Sequence, residues 1–207
     1  MVKVVFAHGW GFDKSFWYKT INKLNIDSPI LLDFGYTGSP QHLSLKNVNK
    51  VIGVGHSMGF MWLLKNLKNP VSLISVSGFD CFHSIYNKKI IESMRSNIKK
   101  NTSVQMKHFH KIAGAPYFSK RIFDCIALDE GLKNLGEWNL EENLCKSQIP
   151  IFSLASSDDK IIPIEYSKRV FRNFDLNIIS GCGHVAPLSD DVLYYSFLKR
   201  ALSVSGA

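Results

Sequence analysis

Val51-Ile52-Gly53-Val54-Gly55-His56-Ser57-Met58-Gly59-Phe60-Met61-Trp62-Leu63-Leu64 decides the fold. Residues 51–55 read as a short buried strand, and residues 58–69 as a helix stopped by Pro70. Between them, Gly55-His56-Ser57-Met58-Gly59 has the G-x-S-x-G spacing of a nucleophile elbow, and it has the strand-to-helix context that such a turn requires. The turn is strained, so flanking glycines relieve crowding. The serine then projects above the sheet, and the helix start beneath it favours developing negative charge.

Working outward, short apolar runs alternate with amphipathic stretches. Residues 2–7, 30–34, 71–77, 149–155 and 176–180 read as strands. Residues 13–24, with Asp13 as cap, and residues 165–173 and 190–202 read as helices. The alternation predicts a mostly parallel sheet with helices on both faces. A basic window after the fourth strand interrupts it. An insertion there sits above the carboxyl ends of the strands, where open α/β sheets hold ligands. Residues 80–135 are therefore expected to form a helical cap, with residues 1–79 and 136–207 as the core.

A serine nucleophile needs a base, a carboxylate to orient that base, and donors for the oxyanion. His184 lies in Gly181-Cys182-Gly183-His184-Val185-Ala186-Pro187, a glycine-flanked loop after the last strand. It comes last in a Ser…Asp…His order. Asp158 and Asp159 follow the strand at 149–155; Asp159, four residues before Pro163, is preferred, and Asp158 is the alternative. The backbone amides of Trp10, in His8-Gly9-Trp10-Gly11, and of Met58 are the expected oxyanion donors. The Trp10 indole is a candidate for the acyl pocket. His8 reads as a loop brace. His56 is a poor base because the turn directs it away from Ser57. His42, His83, His108 and His110 lack a comparable frame.

The charge is localised. The chain has 25 basic and 17 acidic residues, a net charge of +8. Residues 86–121 hold nine bases against Glu92 alone, so the rest of the chain is neutral. Such a segment either steers an acidic partner or forms a solvated face. No RNA-binding motif accompanies it, so nucleic acid is not expected. No apolar run reaches the roughly 18 residues of a membrane span. The four cysteines show no C-x-x-C spacing, which argues for reduced thiols, no metal site and a cytoplasmic setting. The opening residues are too short for a secretory signal.

These residues resemble the α/β-hydrolases over most of the chain. Within them the sequence is similar to the pimeloyl-acyl carrier protein methyl ester esterases of biotin synthesis. The similarity rests on HGWGFDKSFW at 8–17, the elbow at Ser57, SVSGFDCF at 75–82, LDEGLKNLGEWNL at 128–140, IPIFSL at 149–154, DDKIIP at 158–163 and GHVAP at 183–187. The stretches at 75–82 and 128–140 are its more specific parts. The sequence departs from the family in three ways: the usual two leading strands are missing, residues 33–51 are short, and the cap is reduced. The resemblance implies a serine esterase acting on a methyl-esterified acyl chain carried by acyl carrier protein, with a general small-acyl carboxylesterase or thioesterase as the alternative. An acidic carrier gives the basic cap a purpose, with Arg95, Lys99, Lys100, Lys107, Lys111 and Arg121 as candidate docking residues. Phe109, Tyr117 and Phe118 are candidates to line the acyl channel. The chemistry needs no cofactor, and a monomer is expected.

Overall fold

The computed structural model describes residues 2–38, 40, 48, 50–116 and 121–207. The run Lys3–Ala7 forms β1, and its side chains divide by parity. Val4 and Phe6 enter one core while Val5 and Ala7 enter another, as a strand covered on both faces requires. β2 (Ile30–Leu32), β3 (Val51–His56), β4 (Ser72–Val76), β5 (Ile151–Ser156) and β6 (Asp175–Ile179) complete the sheet. Its order is β2-β1-β3-β4-β5-β6, and every pairing is parallel. The chain reverses its direction of travel across the sheet between β2 and β3, beside β1.

Helices cover both faces. α1 (Tyr18–Leu24) and the closing helix pack on one side. α2 (Met58–Asn66) packs on the other. α2 stops short of the expected end at residue 69, because Leu67 is already extended ahead of Pro70. Asp13 caps the 3-10 turn before α1, accepting from the Ser15 amide at 2.9 Å.

After β4 the basic window folds into α3 (Lys88–Ala113), followed by α4 (Cys125–Glu137) and the short α5 (Glu141–Cys145). α3 is broken at Asn101, whose backbone is extended. The Asn101 side chain accepts from the Val104 amide at 3.1 Å and so caps the second half. This break explains the interrupted periodicity of the sequence. Ile91, Ile98 and Met106 of α3 and Leu128, Leu132 and Leu135 of α4 share a core with Trp10 and Met58, so these helices roof the elbow. α6 (Ile164–Val170) and α7 (Val192–Val204) follow β5 and β6. No helix among the described residues is long and apolar enough to cross a membrane.

One pair of core residues is polar without compensation. Ser75 and Ser153 are neighbours across β4 and β5, and neither hydroxyl has a partner among the described residues. A buried unpaired hydroxyl costs about 1–3 kcal/mol. Ser153→Ala is therefore expected to leave the melting temperature unchanged or raise it by roughly 2–4 °C per kcal/mol relieved. A clear drop on thermal melting would contradict this.

Candidate active site

The elbow forms where β3 meets α2. Ser57 has φ 53° and ψ −124°, a left-handed strain that the fold holds in place. Its amide donates to the Val76 carbonyl at 3.0 Å, tying the turn to the end of β4. Gly59 lacks a Cβ for a steric reason: the carbonyls of Ala7 and His8 occupy that space, so α2 begins directly against the end of β1. Ser57 is 8% exposed, reachable from outside but surrounded by protein.

His184 is brought to the same rim. Its Nδ1 lies 2.7 Å from Asp159 Oδ2, and both side chains are almost fully buried. Asp159 Oδ1 accepts from the amides of Ile161 and Ile162 at 2.8 and 2.9 Å, so the carboxylate is held at both oxygens. Asp158 faces elsewhere. It accepts from Ser156 Oγ at 2.6 Å and from the amides of Gly181 and Gly183 at 2.8 and 3.1 Å. The Ser156 hydroxyl and those two amides hold the Asp158 carboxyl below its ordinary pKa. One aspartate thus meets the imidazole while the other braces the loop that carries it. The rings of His56 and His184 lie 4.8 Å apart, so the residue next to Ser57 already touches the imidazole. Ser57 Oγ and His184 Nε2 form no hydrogen bond with each other or with any other described residue, and each is left uncommitted.

The amides of Trp10 and Met58 likewise have no hydrogen-bond partner among the described residues. His8 shapes the first of them. Its Nε2 accepts from the Phe34 amide at 3.1 Å, so the proton sits on Nδ1, which donates to the Gly9 carbonyl at 2.9 Å. The Trp10 indole donates to the Leu128 carbonyl at 2.9 Å and meets Phe109 edge-on at 4.7 Å, which fixes it between β1 and α4. Phe109 also lines a groove of about 350 Å³ between the two halves of α3, with Tyr86, Met94, Gln105, Ile112 and Ile161; Ser57, Met58, Trp10 and His184 are not among its lining residues. Tyr117 and Phe118 lie outside the described residues.

The candidate docking residues divide into two groups. Arg95 is engaged within the chain, bidentate to Asp129 of α4 at 2.7 and 2.9 Å. Arg121 pairs with Asp13 at 3.0 Å and donates to Ser15 Oγ. Their partners lie 34 and 108 residues away in the chain, which is why sequence reading left these arginines available. Lys99, Lys100, Lys107 and Lys111 are exposed and make no ion pair among the described residues. Two histidines passed over in the sequence hold the site's loops. His110 donates to the Gly11 carbonyl at 3.0 Å and stacks on Phe12, and His56 reaches the His184 carbonyl at 2.8 Å. Their only sequence signal was proximity, His56 to the nucleophile and His110 to aromatic residues. No cluster of His, Cys, Asp or Glu fit to hold a metal occurs among the described residues.

No protein-family model matches the chain. A pimeloyl-[acyl-carrier protein] methyl ester esterase of Legionella pneumophila (strain Paris) is 24% identical over 227 residues, covering 95% of this chain and 93% of that protein. Among solved structures, a hydrolase from Oleispira antarctica superposes with a TM-score of 0.80 at 15% identity, covering 98% of this chain and 91% of that one. An esterase from Exiguobacterium antarcticum superposes with a TM-score of 0.77 at 16% identity, covering all of this chain and 92% of that one. With its parallel sheet and strained strand-to-helix elbow, the chain has the α/β-hydrolase fold and resembles the pimeloyl-[acyl-carrier protein] methyl ester esterases along nearly its whole length.

Proposed function

We propose that the chain is a serine carboxylesterase that hydrolyses the methyl ester of a pimeloyl chain borne by acyl carrier protein, in biotin synthesis. The observation that carries the chemistry is the buried His184–Asp159 contact beside an elbow serine whose hydroxyl has no partner among the described residues. His184 Nε2 removes the proton from Ser57 Oγ as it attacks the ester carbonyl, the two atoms closing to hydrogen-bond distance in the substrate complex. The oxyanion is received by the amides of Trp10 and Met58 at the start of α2. His184, oriented by Asp159, then protonates departing methanol. Water enters, gives its proton to His184 and hydrolyses the acyl-enzyme, releasing the acid and Ser57.

The groove beside Phe109, which contacts the Trp10 indole, supports an extended acyl chain, and the exposed lysines of α3 support an acidic carrier. With Arg95 and Arg121 engaged internally, docking falls to Lys99, Lys100, Lys107 and Lys111. Residues 80–135 then act as the cap of a core formed by residues 1–79 and 136–207. The triple reversal Lys99→Glu, Lys100→Glu and Lys107→Glu is expected to lower kcat/KM on the carrier-bound methyl ester at least tenfold at low salt, and to leave a small soluble ester within twofold. The difference should shrink as salt rises, since exposed charges are screened within about 10 Å at 0.1 M. Equal losses on both substrates would remove the carrier and favour a general small-acyl esterase.

A further inference from the structure

His56 is a buried titratable group that the reaction does not use. Its Nε2 stands 2.8 Å from the His184 carbonyl oxygen, so Nε2 carries the hydrogen and donates it. Its Nδ1 is buried without a partner among the described residues and faces Gly9, where a Cβ would stand 2.7 Å away. Burial, and then the neighbouring His184, hold its pKa well below the ordinary value, so the ring stays neutral. The ring stacks on Phe16 at 4.4 Å and 28° and meets Phe12 at 5.7 Å and 73°, which fixes its plane.

The main chain of His184 is gripped at both ends. Its amide donates to the carbonyl of Ala113, the last residue of α3, at 3.2 Å. Its carbonyl accepts from His56, the residue bonded directly to Ser57. The side chain of the residue next to the nucleophile therefore sets where the base's own backbone lies. We propose that His56 is a positioning residue, whose Nε2–H holds the His184 backbone in register with Ser57 so that the imidazole and the hydroxyl meet. The proposal rests on the assignment of Ser57, His184 and Asp159 made above. Misplacing reacting groups by about 1 Å costs on the order of a hundredfold in rate.

Three variants test it. His56→Phe keeps the ring's shape and stacking and removes the donor. His56→Gln places an amide nitrogen near the position of Nε2. His56→Asn is polar but too short to reach the carbonyl, and it carries the same expectation as His56→Phe should that variant fail to fold. Hydrolysis of p-nitrophenyl acetate gives kcat and KM. The far-downfield NMR resonance of the proton between His184 Nδ1 and Asp159 reports the dyad's geometry. His56→Phe is expected to lower kcat at least tenfold, to leave KM within twofold, and to shift or broaden that resonance. His56→Gln should keep kcat within fivefold and preserve the resonance. The role is overturned if His56→Phe, or His56→Asn in its place, keeps kcat within threefold. It is equally overturned if His56→Gln falls as far as the donor-less variant, or if the resonance is unmoved while kcat falls. Activity that survives Ser57→Ala would sink the mechanistic reading as well; Ser57-dependent activity that is indifferent to residue 56 sinks only the positioning role.

Discussion

Ser57→Ala is expected to reduce kcat/KM on any ester substrate by at least about 10³-fold, and up to about 10⁶-fold. That corresponds to roughly 4–8 kcal/mol of lost transition-state stabilisation. The effect should fall almost wholly on kcat, because the groove past Phe109 and the face of α3 remain. The fold should be indifferent. The Ser57 hydroxyl makes no hydrogen bond among the described residues, and alanine has the same Cβ that the strained backbone at φ 53° already accommodates. Melting temperature and circular dichroism are the controls, and labelling by a fluorophosphonate should disappear with the activity. If the variant keeps its rate within tenfold, the elbow is a turn and not a nucleophile, and the amides of Trp10 and Met58, without partners among the described residues, need another explanation.

The sheet was legible because its signals are local. β1 lies in a Val-rich, largely apolar run at residues 2–7, β3 runs into a G-x-S-x-G turn, and Pro70 limits α2 from a few residues away. The site was legible to the extent that each loop carries its own spacing, as Gly-His does at 183–184 and Asp-Lys-Ile-Ile-Pro at 159–163. What depends on meetings across the chain was not. Arg95 and Arg121 stand among lysines in one basic run, and nothing nearby says that Asp129 and Asp13 will claim them. The helical pattern of α3 fails near residue 101 for a reason that is clear only in three dimensions: Asn101 ends one helix and caps the next. His56 reads as a poor base by the logic of the turn. Its hydrogen bond to a carbonyl 128 positions later has no local trace.

Sequence spacing prefers Asp159 but keeps Asp158 as the alternative, and their geometries predict opposite profiles on substitution. Asp159→Asn keeps an oxygen for the Ile161 and Ile162 amides, so the turn survives. The new amide nitrogen faces His184 Nδ1 and must donate to it, which leaves the imidazole protonated on Nε2 and unable to take a proton from Ser57. A tautomer error of this kind costs about 10⁴-fold in kcat, with KM and melting temperature little changed. Asp158→Asn leaves the imidazole's partner untouched and weakens the brace on Gly181 and Gly183. It should lower stability by about 1 kcal/mol and kcat by no more than about tenfold. Because the Asp158 carboxyl is held below its ordinary pKa, its contribution to stability is present above the unfolded value and is lost as pH falls through the lowered folded one. Acid should therefore loosen the His184 loop only below the usual carboxylate range, and Asp158→Asn should flatten that part of the stability profile. The decisive comparison is kcat for the two variants under identical conditions: an Asp158→Asn enzyme slower than Asp159→Asn would reassign the orienting carboxylate, since a loop brace has no means of costing more than the tautomer it supports.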